Sequence, residues 1–225
     1  MTGDESAERA VLVPADGAIL PGDLTVPDGC RGLVVFAHGS GSSRHSTRNR
    51  RVAAALQQAG YATLLMDLLT DREEAIDVRT REFRFDIPRL AARLTGAVDW
   101  LASQPSAARL PVATFGASTG AAAALITAAD RPERVHLVIS RGGRPDLAGD
   151  ALARVHAPTL LIVGGNDPEV LRLNEQAATQ LAGNTVTAVV PGATHLFEEP
   201  GTLDVVIELA IQVLDRYLGI EPLHK

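Results

Sequence analysis

Short apolar runs alternate with helical patterns along almost the whole chain, and this alternation is the feature that most constrains the fold. Apolar, β-branched runs of strand length occur at residues 32–37, 61–69, 111–115, 135–140, 159–163 and 185–190. Helical patterns lie between or after these runs, at residues 47–59, 86–103, 119–129, 168–181 and 203–218. Strands that alternate with helices of this length predict an α/β fold, in which a mostly parallel sheet carries helices on both faces.

Three segments depart from this alternation. Residues 9–27 predict two strands around a turn at 15–17, which would form an antiparallel edge of the sheet. Residues 71–85 are charged and only weakly periodic, so we expect them on the surface, with their acidic start and basic end paired and Phe83 and Phe85 as anchors. The alternative is that residues 71–85 lie over the site as a small lid. Residues 1–8 are expected to be disordered, and residues 1–225 otherwise to form one domain.

The charge balance limits the partners of the protein. Lysine and arginine number 21 and aspartate and glutamate 27, so the net charge is −6. Such a field gives no attraction to nucleic acid or to an anionic membrane. The single cysteine, Cys30, excludes an internal disulfide and suggests a reducing compartment. With no signal-peptide pattern at the start, we expect a cytoplasmic protein, monomeric or homodimeric.

The clearest chemical motif is G-x-S-x-G at residues 116–120, directly after a predicted strand and before a predicted helix. A serine at this position sits on a strained turn with its hydroxyl exposed, as a nucleophile requires. Free N–H groups at the start of the helix favour negative charge that develops beside Ser118. The alternative is a glycine-rich turn that only packs or that binds phosphate.

A serine nucleophile needs a base and an acid that orients the base, and two residues downstream fit these roles. Asp167 follows a buried strand and His195 follows the last strand, so the chain order is Ser, Asp, His. Other interpretations remain open: Asp167 precedes a proline and could cap a helix, Glu169 could be the acid, and His195 could lie in a surface loop.

The loop after the strand at 32–37 predicts the rest of the site. An oxyanion hole would use the backbone N–H groups of Thr119 and Ser40, whereas His38 is expected to be structural. Arg141 follows a central strand and could hold a substrate carboxylate or phosphate, while Arg48 and its neighbours are expected to be solvated. The six histidines are scattered without metal-ligand spacing, so no metal and no other cofactor are expected.

The stretches HGSGS, GASTG, GGND and PGATH together resemble the α/β-hydrolase superfamily. The compact size, without a large cap domain, is most similar to its dienelactone hydrolase-like branch. The resemblance covers roughly residues 9–218 and implies a single-domain hydrolase that proceeds through an acyl-enzyme, with Ser118, Asp167 and His195 as the triad. One departure concerns the nucleophile: dienelactone hydrolases proper use cysteine, and here Cys30 lies outside the motif.

These observations predict a serine hydrolase that cleaves a carboxylic ester, or a thioester, of a small substrate. Two alternatives use the same fold. The same triad could transfer the acyl group to an acceptor other than water or form a peracid, because those reactions differ only in the acceptor. A ligand-binding protein without catalysis is the other alternative, since a fold does not by itself define a function.

Overall fold

The computed structural model describes residues 8–219, and its centre is an eight-stranded sheet. The strands are β1 (Arg9–Ala15), β2 (Ala18–Thr25), β3 (Leu33–Ala37), β4 (Ala62–Met66), β5 (Val112–Ala117), β6 (Val135–Arg141), β7 (Thr159–Gly164) and β8 (Thr185–Val190). Their order across the sheet is β1-β2-β4-β3-β5-β6-β7-β8. β1 pairs antiparallel with β2, and β2 with β4, whereas the neighbours from β4 to β8 are parallel.

Helices cover both faces of this sheet. They are α1 (Thr47–Gln58), α2 (Asp71–Thr80), α3 (Ile87–Leu101), α4 (Thr119–Asp130), α5 (Pro168–Ala178) and α6 (Thr202–Tyr217), with a 3-10 segment at Pro145–Arg154. Side chains alternate between the two faces along a strand. Val34 and Phe36 of β3 therefore pack with α1 and α6, and Leu33 and Val35 pack with α3 and α4. The predicted α/β fold is confirmed, and residues 8–219 contain no cap domain.

The segment 71–85 differs from the prediction. Its first ten residues form α2, which begins with a capping box: the Glu73 N–H donates to the Thr70 hydroxyl, and the Thr70 N–H donates to the Glu73 carboxylate. The acidic start does not pair with the basic end, because Glu73 accepts hydrogen bonds from Arg89 and Arg93 of α3. Long-range ion pairs thus hold a helix whose apolar pattern is too weak to predict it.

The two phenylalanines of this segment behave differently. Phe83 packs against the core beneath the Arg89 guanidinium, whose carbon lies 4.8 Å from the ring centre. Phe85 is 58% exposed, so the prediction that it anchors the segment is wrong. The anchor is instead Asp77, which is fully buried and accepts hydrogen bonds from Arg84 and from the backbone N–H groups of residues 83 and 84.

The predicted disorder of residues 1–8 falls outside the described residues, except at Glu8. The Glu8 carboxylate lies 2.8 Å from Arg50 Nη2 on α1. Within residues 8–219, no helix combines the length and the apolar character that crossing a membrane requires.

Candidate active site

Ser118 lies at the turn between β5 and α4 in a strained backbone conformation, with φ 51° and ψ −122°. A non-glycine residue with positive φ is uncommon and is held only where its surroundings fix it. Two glycines make the turn possible: a Cβ on Gly116 would collide with the Ala121 backbone, and one on Gly120 with the Ala37 carbonyl. The close approach of β3, β5 and α4 therefore presents the Ser118 side chain at the carboxyl end of the sheet.

The loop after β3 lies directly against this turn. A Cβ on Gly39 would lie 3.0 Å from Ser118 Cβ, so glycine lets the loop approach the turn without crowding. The backbone N–H groups of Ser40 and Thr119 donate to no other residue in the described part of the chain. The Ser40 hydroxyl donates to the Arg84 carbonyl at 3.1 Å and lies 3.0 Å from the Thr119 hydroxyl. These contacts join the loop, the start of α4 and the end of the α2 segment.

Asp167 and His195 are in contact, with 2.7 Å between Asp167 Oδ2 and His195 Nδ1. Asp167 precedes α5 but makes no side-chain cap for it, so the carboxylate serves the imidazole instead of the helix. Glu169, the other candidate acid, is exposed. With the proton on Nδ1 shared with Asp167, the lone pair of Nε2 is available to accept a proton.

His195 and Ser118 line one cleft of about 200 Å³ that is open to solvent. The loop that carries His195 packs closely against Gly142, where a Cβ would lie 2.9 Å from the His195 carbonyl oxygen. Among the described residues no hydrogen bond joins the Ser118 hydroxyl to His195, and in unliganded sites such bonds are often long. The structure thus brings Ser118 and His195 to one cleft, with Asp167 in contact with His195; the catalytic roles of the three residues stay predictions.

His38, at the end of β3, has a structural position. It is 7% exposed, its Nε2 accepts the Leu68 N–H at 3.0 Å, and its Nδ1 lies 3.0 Å from the Gly39 carbonyl. Burial lowers the pKa of the imidazole below its ordinary value of 6.5. A neutral His38 that donates from Nδ1 satisfies both contacts, which ties the ends of β3 and β4 together.

Arg141, the predicted substrate-binding residue, ends β6 and lines the same cleft. It is 7% exposed, and its side chain makes no hydrogen bond or ion pair with any residue from 8 to 219. Burial, together with the charge of Arg48, lowers the pKa of its guanidinium to about 10. The other arginines of the two basic clusters have carboxylate partners: Arg44 with Asp67, Arg48 with Glu198, Arg50 with Asp23, Arg51 with Asp204 and Arg144 with Asp146.

Arg48 and Asn49 are cleft residues that the sequence did not single out. Both lie in the first turn of α1 and line the cleft beside Ser118. Arg48 was expected to be solvated, but its side chain is 31% exposed and its Nε is buried without a partner among the described residues. The available signal was Ser46, whose side chain caps α1 and thereby marks a helix N-terminus close to the HGSGS loop.

The combination of features defines an α/β hydrolase. The sheet is mostly parallel, a strained serine turn follows the central strand β5, and an Asp–His pair follows β7 and β8. Residues 20–213 match the Dienelactone hydrolase family, which is most of the chain. The chain therefore belongs to the dienelactone hydrolase family.

Relatives of known structure and sequence support this placement. A protein of Mycobacterium tuberculosis named "Putative phosphoribosyl transferase" is 60% identical over 216 residues, which cover 96% of this chain and 48% of that protein. The chain thus spans about half the length of the curated relative that it matches. A crystal structure of a dienelactone hydrolase from Anabaena variabilis is 56% identical, with a TM-score of 0.93, over 95% of this chain and 99% of that one.

More distant structures share the fold. Est1E from Butyrivibrio proteoclasticus is 17% identical with a TM-score of 0.76, over 94% of this chain and 99% of that one. At this identity the likeness concerns the fold alone.

Proposed function

We propose that the protein is a serine hydrolase that cleaves a carboxylic ester, or a thioester, of a small molecule. The observation that carries the proposal is the strained Ser118 turn, which shares one cleft with the His195–Asp167 pair. Membership of a hydrolase family supports the reaction class.

In the first half of the reaction, the Ser118 hydroxyl attacks the acyl carbon while His195 Nε2 takes its proton. The carbonyl oxygen becomes an oxyanion and accepts hydrogen bonds from the backbone N–H groups of Ser40 and Thr119. Among residues 8–219 these groups have no hydrogen-bond partner, so they need no rearrangement as the charge develops. Collapse of the tetrahedral intermediate breaks the bond to the alcohol, which leaves with the proton from Nε2.

In the second half, water attacks the acyl-enzyme and gives a proton to His195 Nε2. The second tetrahedral intermediate expels the Ser118 oxygen, which recovers the proton, and the carboxylic acid is released. Asp167 holds the proton of His195 on Nδ1 and stabilises the imidazolium that forms twice in each cycle. Its side chain is 17% exposed, so the attraction is screened less than at the surface.

The transferase name of the mycobacterial relative is not carried over to this chain. The match spans 48% of that protein, so the name describes a protein of which this chain matches about half. The Ser118 cleft supports acyl chemistry, which requires a nucleophile, a base and oxyanion donors.

Labelling with a fluorophosphonate tests the proposal without knowledge of the substrate. We expect one adduct on Ser118, found by intact mass and peptide mapping. In a separate assay, we expect the unlabelled protein to hydrolyse 4-nitrophenyl esters. Ser118→Ala should abolish labelling and turnover. His195→Ala should slow labelling at least a hundredfold, because the serine loses its base.

Ser103→Ala is the matched control, since this serine is exposed and lies at the end of α3, away from the cleft. It should label like the wild type. A folded wild-type protein that forms no adduct, or an adduct that survives in Ser118→Ala, would overturn the proposed function.

A further inference from the structure

Arg141 is the residue that the proposed reaction leaves unexplained. It is buried at the carboxyl end of β6, and its Nη1 has no contact with solvent and no hydrogen-bond partner among residues 8–219. A buried charge without a partner costs several kcal/mol, so proteins normally pair it. Two other buried charges among the described residues are paired: Arg93, which is also buried, bonds to Glu73, and the buried Asp77 bonds to Arg84.

The surroundings of Arg141 are arranged for an anion. Arg48 approaches it closely enough to lower its pKa, and the first turn of α1 borders the same cleft with Ser46 and Asn49. A helix N-terminus adds partial positive charge and free N–H groups. No aspartate or glutamate in the described part of the chain lines the cleft, so its interior is uniformly positive or neutral.

We propose that Arg141 and Arg48 bind a phosphate group of the substrate, so that the ester cleaved at Ser118 belongs to a phosphorylated small molecule. This inference rests on the proposed function, because it uses the same cleft. A guanidinium binds phosphate through two parallel hydrogen bonds. The Arg141 guanidinium, which has no hydrogen-bond partner among residues 8–219, would gain one at the atoms that face the cleft, and the burial of its charge would serve substrate recognition.

The number of donors favours phosphate over carboxylate. A phosphate monoester carries a charge of about −1.5 to −2 and three acceptor oxygens, whereas a carboxylate has a charge of −1 and two oxygens. The cleft offers two guanidiniums, and the only carboxylate that approaches either of them among the described residues is Glu198, which is 62% exposed and bonds to Arg48 from outside. A phosphate has enough oxygens to accept hydrogen bonds from both guanidiniums at once, whereas a carboxylate offers one acceptor oxygen fewer.

The first test measures binding without chemistry. Ser118→Ala protein is titrated with inorganic phosphate, and separately with acetate, by calorimetry at pH 7.5 and constant ionic strength. We expect saturable phosphate binding that is at least fivefold tighter than acetate binding. In the Ser118→Ala background, the Arg141→Gln substitution should weaken phosphate binding at least tenfold. Arg141→Lys keeps the charge but loses the planar guanidinium, and it should weaken binding several-fold.

Arg51→Gln is the control, because Arg51 lies on the same helix but bonds to Asp204 at an exposed site. It should bind phosphate like the parent protein. No phosphate binding, or binding that Arg141→Gln leaves unchanged in a folded protein, would overturn the subsite. Acetate binding as tight as phosphate binding would overturn the assignment to phosphate.

The second test measures turnover with matched esters. The charge is placed on the acyl part (4-nitrophenyl 3-phosphonopropanoate against 4-nitrophenyl butanoate) or on the alcohol part (2-phosphonoethyl acetate against butyl acetate). We expect one phosphonate ester to exceed its neutral partner at least tenfold in kcat/KM, and Arg141→Gln to reduce this ratio to about one. Neutral esters hydrolysed without any phosphonate preference would overturn the inference.

The two tests separate the two proposals. If phosphate binds in an Arg141-dependent way but no ester is hydrolysed and Ser118 is not labelled, the subsite stands and the proposed function fails. If Ser118 is labelled and neutral esters are cleaved without phosphate binding, the proposed function stands and the subsite fails.

Discussion

Arg141 carries its charge at a point where no residue from 8 to 219 supplies a counter-charge, whereas Arg93, just as buried, is held by Glu73. A structural arginine would stabilise the fold through its contacts. A ligand-binding arginine without its ligand destabilises the fold, because desolvation is not offset. The pKa of Arg141, lowered to about 10 by burial and by Arg48, has the direction expected for the second case.

Arg141→Met should therefore raise the stability of the ligand-free protein. Methionine replaces the unbranched stem of arginine and carries no charge to desolvate, so we expect the free energy of unfolding to rise by about 1 kcal/mol or more. For a chain of this size, that is a rise of about 2–4 °C in Tm. Urea unfolding monitored by circular dichroism in phosphate-free buffer checks it. A loss of more than about 1 kcal/mol would mean that Arg141 is structural.

At the scale of elements, α2 is held by charges. Glu73 accepts hydrogen bonds from Arg93 Nη1 and Nη2 at 2.6 and 2.7 Å, and the Arg93 side chain is only 3% exposed. Burial raises the pKa of Glu73, but the hydrogen bonds from Arg93 and Thr70 outweigh it and lower the pKa to about 2. One carboxylate, Glu73, thus joins the helix to α3 through ion pairs with Arg93 and Arg89.

Glu73→Gln should destabilise the protein by about 3 kcal/mol at pH 7, since it leaves Arg93 buried without a counter-charge. Because the folded pKa is lowered, the contribution of Glu73 is complete above about pH 4.5 and is lost as the pH falls towards 2. The gap between the free energies of unfolding of the wild type and Glu73→Gln should narrow by about 1 kcal/mol from pH 7 to pH 3.5. Urea unfolding at both pH values measures this gap.

Glu74→Gln, one residue along α2, is the control and should cost less than about 0.5 kcal/mol, because among the described residues Glu74 has no ion pair. A Glu73→Gln variant as stable as this control would contradict the role given to the ion pair.

The same elements show what the sequence could predict of the fold. All eight strands were predicted. The central ones are buried on both faces and need apolar residues in an unbroken run, as Val34 to Phe36 have, whereas β1 and β2 were predicted from the turn at 15–17. The strand at 61–69 was predicted too long, since Leu68 and Leu69 are buried in the loop that follows β4. Helix α2 was missed because its buried residue is a charged one, Asp77; the capping box at Thr70 was the available signal.

The candidate site was predictable to a different depth at different residues. Ser118, Asp167 and His195 follow from strand ends and chain order, which the sequence contains. Whether Arg48 faces solvent or the cleft depends on how α1 is rotated against the sheet, and no local pattern gives that rotation. The missing partner of Arg141 is likewise a property of the folded neighbourhood.

At the scale of the whole molecule, the cleft is built from distant parts of the chain. Its residues come from four parts of the chain at one sheet edge: Ser40 and Arg48 follow β3, Ser118 follows β5, Arg141 ends β6 and His195 follows β8. They meet only when the sheet, with one apolar cluster on each face, is fully formed. A ligand that bridges Arg48 and Arg141 therefore binds the folded chain and not the unfolded one, so its binding free energy adds to global stability.

Inorganic phosphate should for this reason raise the Tm of the wild-type protein. At ten times its dissociation constant, phosphate adds about 1.4 kcal/mol, which for this chain length corresponds to a rise of about 3–6 °C. Phosphate also stabilises proteins generally through exclusion from their surface. For each protein, the rise in Tm is measured in phosphate relative to chloride of the same ionic strength. The part of the rise that is due to specific binding is the difference between the wild type and Arg141→Met at equal phosphate concentration. Differential scanning calorimetry measures it, and equal shifts in both proteins would leave surface exclusion as the whole effect and contradict the subsite.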